Sequence, residues 1–376
     1  MDFSLTEEQQ LLKDSVEKFV ASQYSPQQRE QLLHASAAFS TDHWKTFAEL
    51  GWLTIPFSEE LGGYGGGIVE SAIVMEAFGQ ALVLEPFVDT VLLCGQLLAR
   101  SGNVALCERY LTPLMGGELQ GALAWQERTT RCNLNHCQTS ASRSGDGYVL
   151  SGEKVLVSNA DANVLIVSAR TDGDADASQG ISLFAVPMDT SGVSTQRLKL
   201  MDGREALNVQ LDNCELPADA CLKEDAFPLL QSVVDEAVVA LCAEAVGAMD
   251  YLYKASVEYS KTRKQFGQPI GKFQALQHRM VDMFMHTEQC RSMLVSALCA
   301  LSDNSDDKAQ AIAALKAMVG KYGRRVAEEA VQLHGGMGVT HEMNIGHYLK
   351  RLMMIDVTFG DASIHRRRYC TLRYAA

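Results

Sequence analysis

The sequence predicts an α+β multidomain protein: an N-terminal α-helical domain, a middle antiparallel β domain and a C-terminal helical bundle. Three observations predict it. Helical periodicity and helix caps fill the first hundred or so residues. Near residue 119 the texture changes to short β-branched runs separated by turn residues. After Pro228 the pattern turns helical again and stays so. Segregated runs of this kind imply separate modules, whereas a parallel βαβ sheet would interleave its strands and helices. A chain of 376 residues divides into two or three domains at roughly 150 residues each. The expected modules are 1–118, 119–222 and 223–376.

The first helix is expected over 4–22. Ser4 or Thr6 can cap it, and Glu7 and Glu8 fall in the first turn, where the helix dipole favours acids. Leu11, Leu12, Val16, Phe19 and Val20 then recur at helical spacing. A second helix runs through Asp42–Leu50, with Trp44, Phe47 and Leu50 on one face and Gly51 as its stop. A glycine-rich loop, EELGGYGGG (59–67), precedes helices from about Val69 to Gly79 and from Thr90 to Ser101. Glu70 and Glu76 read as solvated surface residues of the first of these.

The strand runs are GALAWQE, GYVLSGEKVLVSN, NVLIVSART, ISLFAVPM and ALNVQLDNCELP. Several alternate apolar with polar, as half-buried strands do. TDGDADASQG (171–180) reads as a solvated hairpin loop. It lacks the glycine and closing glutamate of a calcium loop. Residues 229–261 hold no proline and one glycine, Gly247, while 273–301 and 307–333 are two more long amphipathic stretches. Long consecutive helices point to an antiparallel bundle.

Composition excludes several classes. An apolar fraction of 47% and a charged fraction of 21% are those of a globular chain. The net charge of −13 argues against a polyanion as main partner. A small anionic ligand needs only a few local cations or helix N-termini. The ten cysteines form no CxxC pair and sit mostly among apolar residues, as small core residues of a reducing, cytoplasmic protein do. MDFSLTEEQQ is acidic and lacks the basic and then apolar pattern expected of a signal segment, and no apolar run reaches the roughly 18 residues of a membrane span. No GxGxxG follows a strand, which leaves a nicotinamide Rossmann domain unsupported.

Three segments carry chemistry. RKQFGQPIGKFQALQ (263–277) is a turn with an arginine, an aromatic and glutamines. That set suits a phosphate-and-ring ligand, because guanidinium is a planar fork for phosphate oxygens. Read by itself, it is equally a helix connector with a surface arginine. QLHGGMGVT (332–340) offers two glycines for backbone contact with a ligand, or a plain helix stop. GEKVLVSNADANVLIVSAR (152–170) is two strands whose turn can present polar groups, or simply β structure.

Their order is specific. Together with FSLTEEQQLLKDSVEKF and LGWLTIPFSEELGGYGG, the chain resembles the acyl-CoA dehydrogenase family from end to end. ALAWQER, LCAEAVGAM and VTFGDASIHR resemble most the branch that includes pimeloyl-CoA dehydrogenase small subunits. The resemblance implies an N-terminal helical domain, a middle antiparallel β-barrel and a C-terminal four-helix bundle. It implies FAD between the β domain and the bundle, with its adenine end reaching a neighbouring subunit, and hence a homo- or heterotetramer. An acyl-CoA substrate and an electron-transfer flavoprotein as acceptor follow from the same resemblance.

By position, Trp125 and Gln126 match the segment facing the flavin, and Ser158 the hydroxyl that bonds the ring. Arg263, Gln265, Phe266 and Gln274 match the pyrophosphate and adenosine turn. Gln332, Gly335 and Gly336 match the glycine segment at that end, and Asp361 and Ser363 a further FAD-contacting stretch. Leu156 stands where the family usually has tryptophan.

The implied reaction is α,β-dehydrogenation of the thioester, in which a carboxylate removes the α-proton. The family keeps that glutamate before the glycine of a YEGT-like segment, where this chain has Phe359. A minority carries it on the first long bundle helix, where this chain has Ala237. Three accounts stay open. A nearby acid substitutes, with Asp361 the best candidate catalytic residue, or else an FAD contact or helix cap; Glu236, one residue before Ala237, is rotated about 100° away, and Glu244 is about two turns along that helix. Alternatively the chain is the small subunit of a heteromer whose partner supplies the base, or it is a non-catalytic flavoprotein. His334 and His365 read as structural.

Overall fold

The computed structural model describes residues 4–34 and 39–374. They form two compact units, the described residues of 1–31, 68–83 and 238–376 in one and those of 32–67 and 84–237 in the other. The helices begin with α1 (Glu7–Gln23), α2 (Pro26–Leu33), α3 (Thr41–Glu49) and α4 (Ile68–Ala81). A wide-turned helix at Val88–Gly95 leads into α5 (Gln96–Ser101), α6 (Val104–Leu106) and α7 (Thr112–Met115). Eight strands follow: β1 (Gly121–Ala124), β2 (Ser140–Ser144), β3 (Gly147–Ser158), β4 (Val164–Arg170), β5 (Ile181–Pro187), β6 (Val193–Lys199), β7 (Glu205–Leu216) and β8 (Cys221–Lys223). Then come α8 (Phe227–Thr262), the short strands β9 (Lys264–Gln265) and β10 (Gln268–Pro269), α9 (Gln274–Ser302), α10 (Lys308–His334), α11 (Ile345–Val357) and α12 (Ala362–Tyr374).

In the helical unit, Thr6 opens α1 with both halves of a capping box. Thr6 Oγ1 accepts from the Gln9 N–H (3.2 Å) and Gln9 Oε1 from the Thr6 N–H (3.0 Å). Val16 and Val20 are buried, whereas Leu11, on the expected apolar stripe, is exposed. α4 crosses α8 backbone to backbone. A Cβ on Gly79 would stand 1.9 Å from the Glu244 carbonyl oxygen, and one on Gly247 1.9 Å from that of Glu76. Two bare glycines permit that approach, which explains the lone glycine of the long helix. Glu76 is not the solvated residue expected from sequence. It is half-buried and paired with Arg291, which also contacts Asp250 (3.8 Å) and Glu288 (3.4 Å). Glu70 accepts from Gln9 Nε2 (2.7 Å). α10 packs against α9, α11 and α12.

In the other unit, Trp44 and Phe47 of α3 are buried and Leu50 is exposed. Ser40 caps α3 by accepting from the His43 N–H (3.2 Å). The expected antiparallel barrel is an open, mixed sheet in the order β6-β7-β3-β2-β4-β5-β8, with β1 beside β4. β1 and β4 run parallel from Gly121↔Val164 to Ala124↔Val167, and β2 touches β4 in parallel at Ser140↔Arg170. The two edges explain the lack of closure. β6 is almost wholly exposed, with Ser194, Thr195, Gln196 and Arg197 along it, and β8 has three residues. Neither offers an apolar face that would reward pairing edge to edge. The core beneath is Leu150, Val157, Leu165, Val167, Phe184, Val186, Leu207 and Val209.

The 171–180 loop closes over Arg170. Its guanidinium donates to the carbonyls of Asn135 (2.8 Å), Ala175 (2.9 Å), Ala177 (2.9 Å) and Gln179 (2.6 Å). All ten cysteines are unbridged, and six are buried. Burial pushes the thiols of Cys94, Cys242 and Cys290 up to about 12, which makes them inert packing residues. Among the described residues no helix is long and apolar enough to cross a membrane.

Candidate active site

The sheet unit carries Trp125, Gln126 and Ser158. Trp125 and Gln126 continue β1 after its ladder has ended at Ala124. The Gln126 carbonyl accepts from the Val155 N–H (2.8 Å), which lays the segment along β3. β3 is bulged between Lys154 and Val157. Leu156 sits in the bulge at φ +53°, exposed, with its N–H bonded to Asn208 Oδ1 (3.3 Å). Gln126, Leu156 and Ser158 therefore lie on adjoining stretches of the sheet, where Gln126 Nε2 donates to the Arg131 carbonyl (3.3 Å). Behind it lies a buried ion pair, Lys154 Nζ to Glu127 Oε1 at 2.8 Å. Burial acts to raise the Glu127 carboxyl. The charge of Lys154 and hydrogen bonds from Lys154, Thr139 and Gln138 outweigh it together and hold the group at about 2.

The helical unit carries the rest. β9 and β10 form a two-residue hairpin whose turn residues, Phe266 (φ +53°) and Gly267 (φ +80°), both have positive φ. The tight ribbon projects the Phe266 ring 91% exposed. Arg263 stands at its base, and Gln274 opens α9. Among the described residues, the side chains of Arg263, Gln265, Gln274 and Gln332 make no hydrogen bond or ion pair. Tyr259 stacks on His334 with ring centroids 4.3 Å apart, which brings the end of α8 to the end of α10. Gln332, Gly335 and Gly336 thus share one end of the unit with Arg263. Gly335 breaks the helix at φ +62°, and a Cβ on either glycine would meet nothing within 4 Å. Uncommitted guanidinium and amide donors, an exposed ring and open backbone fit a ligand with phosphates and an aromatic base. Burial pulls His334 below the usual histidine range, and its Nδ1 donates to the Ala330 carbonyl (2.8 Å); its role is structural.

Asp361 and Ser363 lie elsewhere. A Cβ on Gly320 would touch Asp356 and Ala362. This places the start of α12 roughly 22 Å along α10 from Gly335, at 1.5 Å per residue. Asp361 is the N-cap of α12: its Oδ1 accepts from the Ile364 N–H (2.9 Å) and its carbonyl from the His365 N–H (3.0 Å). Asp356 Oδ1 accepts from the Ala362 N–H (3.0 Å). Phe359 is half-buried at φ +56°, and the buried His365 donates through Nε2 to its carbonyl (2.9 Å). Lys316, fully buried in α10, donates to the carbonyls of Ile355 and Asp356 at the end of α11. Ala237 is fully buried on α8. The acids beside it are engaged. Glu236 takes two hydrogen bonds from Arg100 (2.7 and 2.5 Å), and the buried Glu244 takes two from Arg351 (2.6 Å each).

Three domain models of the acyl-CoA dehydrogenase family match the chain: the N-terminal domain over 6–118, the middle domain over 122–214 and the C-terminal domain over 227–369. The chain belongs to the acyl-CoA dehydrogenase family. A probable acyl-CoA dehydrogenase of Bacillus subtilis is 31% identical over 97% of this chain and 98% of its own length. A chain of the ChsE4–ChsE5 complex from Mycobacterium tuberculosis superposes with a TM-score of 0.89 at 25% identity, covering 98% and 97% of the two chains. The FAD complex of PigA superposes with a TM-score of 0.90 at 26% identity, covering 98% of each chain.

Within an acyl-CoA dehydrogenase fold, the arginine clamps on Glu236 and Glu244 are what sequence reasoning missed. Their partners, Arg100 and Arg351, lie 136 and 107 residues away. No local spacing joins them. The Lys154–Glu127 pair had a signal: a lysine at an inward place of β3, where the alternation calls for an apolar residue.

Proposed function

We propose that this acyl-CoA dehydrogenase-family chain binds FAD and takes part in α,β-dehydrogenation of an acyl-CoA thioester as a subunit whose partner chain supplies the proton-abstracting carboxylate. The observation that carries this reading is the state of the base positions. Phe359 and Ala237 cannot accept a proton, and the neighbouring Glu236, Glu244 and Asp361 are committed to Arg100, Arg351 and the α12 cap. The similarity to a chain of a two-component complex supports the same reading. The modules are proposed to divide near residues 118 and 222.

Bound FAD supplies the hydride acceptor. Arg263, Gln265 and Gln274 would hold its phosphates and adenosine, with Phe266 stacking and the open backbone of Gly335 and Gly336 beside them. Trp125, Gln126 and Ser158 would face the ring, with Leu156 giving less aromatic cover than the family's tryptophan. Asp361 and Ser363 would lie along a separate stretch of the cofactor. The acceptor for the electrons would be an electron-transfer flavoprotein, and the assembly a tetramer.

A second reading makes the chain complete, with Asp361 as base; its place two residues beyond Phe359 favours it. One experiment separates them. The purified chain is reconstituted with FAD and mixed anaerobically with acyl-CoAs of varied length. The subunit reading expects a yellow protein that is not bleached alone and yields enoyl-CoA when its co-purifying partner is added. Bleaching by the chain alone, abolished by Asp361→Asn, supports the second reading. Protein that takes up no FAD overturns both.

A further inference from the structure

Lys154 is a full positive charge with no exposed surface, set in a strand otherwise built to be apolar inward. Burying an ammonium is costly unless every donor is used. Here its Nζ reaches Glu127 Oε1 (2.8 Å), Ser168 Oγ (3.2 Å) and the Trp125 carbonyl (3.4 Å). Glu127 in turn accepts from the N–H groups of Gln138 (2.8 Å) and Thr139 (2.9 Å) and from Thr139 Oγ1 (2.8 Å). The cluster spans β3, β4 and the segments either side of the 128–137 turn. It grips residues 125–127 at both the Trp125 carbonyl and the Glu127 side chain. Between these two grips lies Gln126, which the sheet ladder itself holds only through its carbonyl to Val155.

We infer that Lys154 is a positioning residue for the flavin-facing segment. Its ammonium, with Glu127, fixes the height and tilt of Trp125–Gln126 against the β3 bulge that presents Leu156 and Ser158. The inference rests on the FAD reading above and extends it to a residue that touches no ligand. An apolar pair of similar volume would fill the same space, because replacing both members of a buried ion pair is often neutral for stability. It would not hold the Trp125 carbonyl. Fold and positioning can therefore be separated.

The test uses the full chain carrying Lys154→Met and Glu127→Met together. Amide hydrogen exchange of the flavin-free protein is read by mass spectrometry, and FAD affinity and the visible flavin spectrum are read after reconstitution. The expected result is faster exchange in peptides over 125–128 and 153–158, with unchanged exchange over 164–170 and 181–187. FAD affinity falls roughly tenfold to a hundredfold, the range for a misplaced contact of this kind, and the flavin band shifts. Unchanged exchange over 125–128 overturns the inference whether or not the parent binds FAD. Faster exchange with parental affinity and spectrum overturns it too. A parent that binds no FAD while exchange still quickens sinks the FAD reading, and the flavin role of Lys154 with it. Lys154→Met alone, which strands the Glu127 carboxylate, is expected to unfold more readily than the pair.

Discussion

Arg351 meets Glu244 through two hydrogen bonds of 2.6 Å, with both side chains buried. The pair joins α11 to α8 within the helical unit, seven residues beyond Ala237. It commits an acid near Ala237 to a structural clamp. Glu236, on the other side of Ala237, is clamped in the same bidentate way by Arg100. Proximity in sequence to Ala237 therefore says little about which carboxylate is free to take a proton.

Breaking the buried clamp should be costly and replacing it should not. Arg351→Met leaves an uncompensated carboxylate and is expected to lower stability by about 3–5 kcal/mol. Arg351→Met with Glu244→Met should recover most of that loss. Denaturant titration of parent, single and double variants measures both, and a double variant as unstable as the single would refute the account.

Asp361 is expected to behave as a cap. Asparagine is as good an N-cap as aspartate, so Asp361→Asn should change stability little, while Asp361→Ala should cost about 1 kcal/mol. Thermal melts of the two variants give the comparison. Equal losses in both would mean that the carboxylate charge matters more than the cap bond to Ile364.

The three-part order of the chain was legible because helix and strand periodicities are local. Thr6, Trp44, Phe47 and Gly51 sit where their residue types put them. The open sheet was not legible, since closure depends on whether β6 and β8 meet, and no run of residues encodes that. The hairpin at Phe266–Gly267 and the glycine break at Gly335 could be read as ligand-binding candidates. The cap role of Asp361 was one of the readings an acid before a helix allows, and its bond to Ile364 is local. The Arg100 and Arg351 clamps could not be read, because each depends on how distant elements pack.

Glu127 should make the fold acid-labile. Its carboxyl is lowered from 4.5 to about 2, so the folded state prefers it ionised. That stabilisation, about 3 kcal/mol, is present above pH 4.5 and is lost as pH falls toward 2. Denaturant midpoints between pH 6 and pH 2.5 should fall more steeply for the parent than for the Lys154→Met, Glu127→Met variant, which has no such carboxyl. Parallel slopes would show that other acids govern the transition.

The α4–α8 contact should tolerate no side chain. Gly247→Ala places a methyl where the Glu76 carbonyl oxygen already sits, and backbone must move to admit it. A loss of about 1–3 kcal/mol or more is expected, although alanine is the better helix former. A stability gain in Gly247→Ala, read by thermal melting, would mean that the helices do not cross so closely.

Under the proposed reading, Phe359→Glu would put a carboxylate where the base is expected, without a new backbone demand. Position 359 already has φ +56° with a bulky side chain, so glutamate pays no more than phenylalanine for the left-handed conformation. His365 bonds the carbonyl and not the side chain, so the segment should keep its path. A positioned general base contributes roughly a hundredfold or more to proton abstraction. The FAD-loaded variant alone should therefore gain anaerobic, acyl-CoA-dependent bleaching at least about a hundredfold above the parent. Bound FAD with no gain in bleaching would mean that acyl-CoA never reaches the 359 segment of this subunit, and that the chain contributes cofactor binding only.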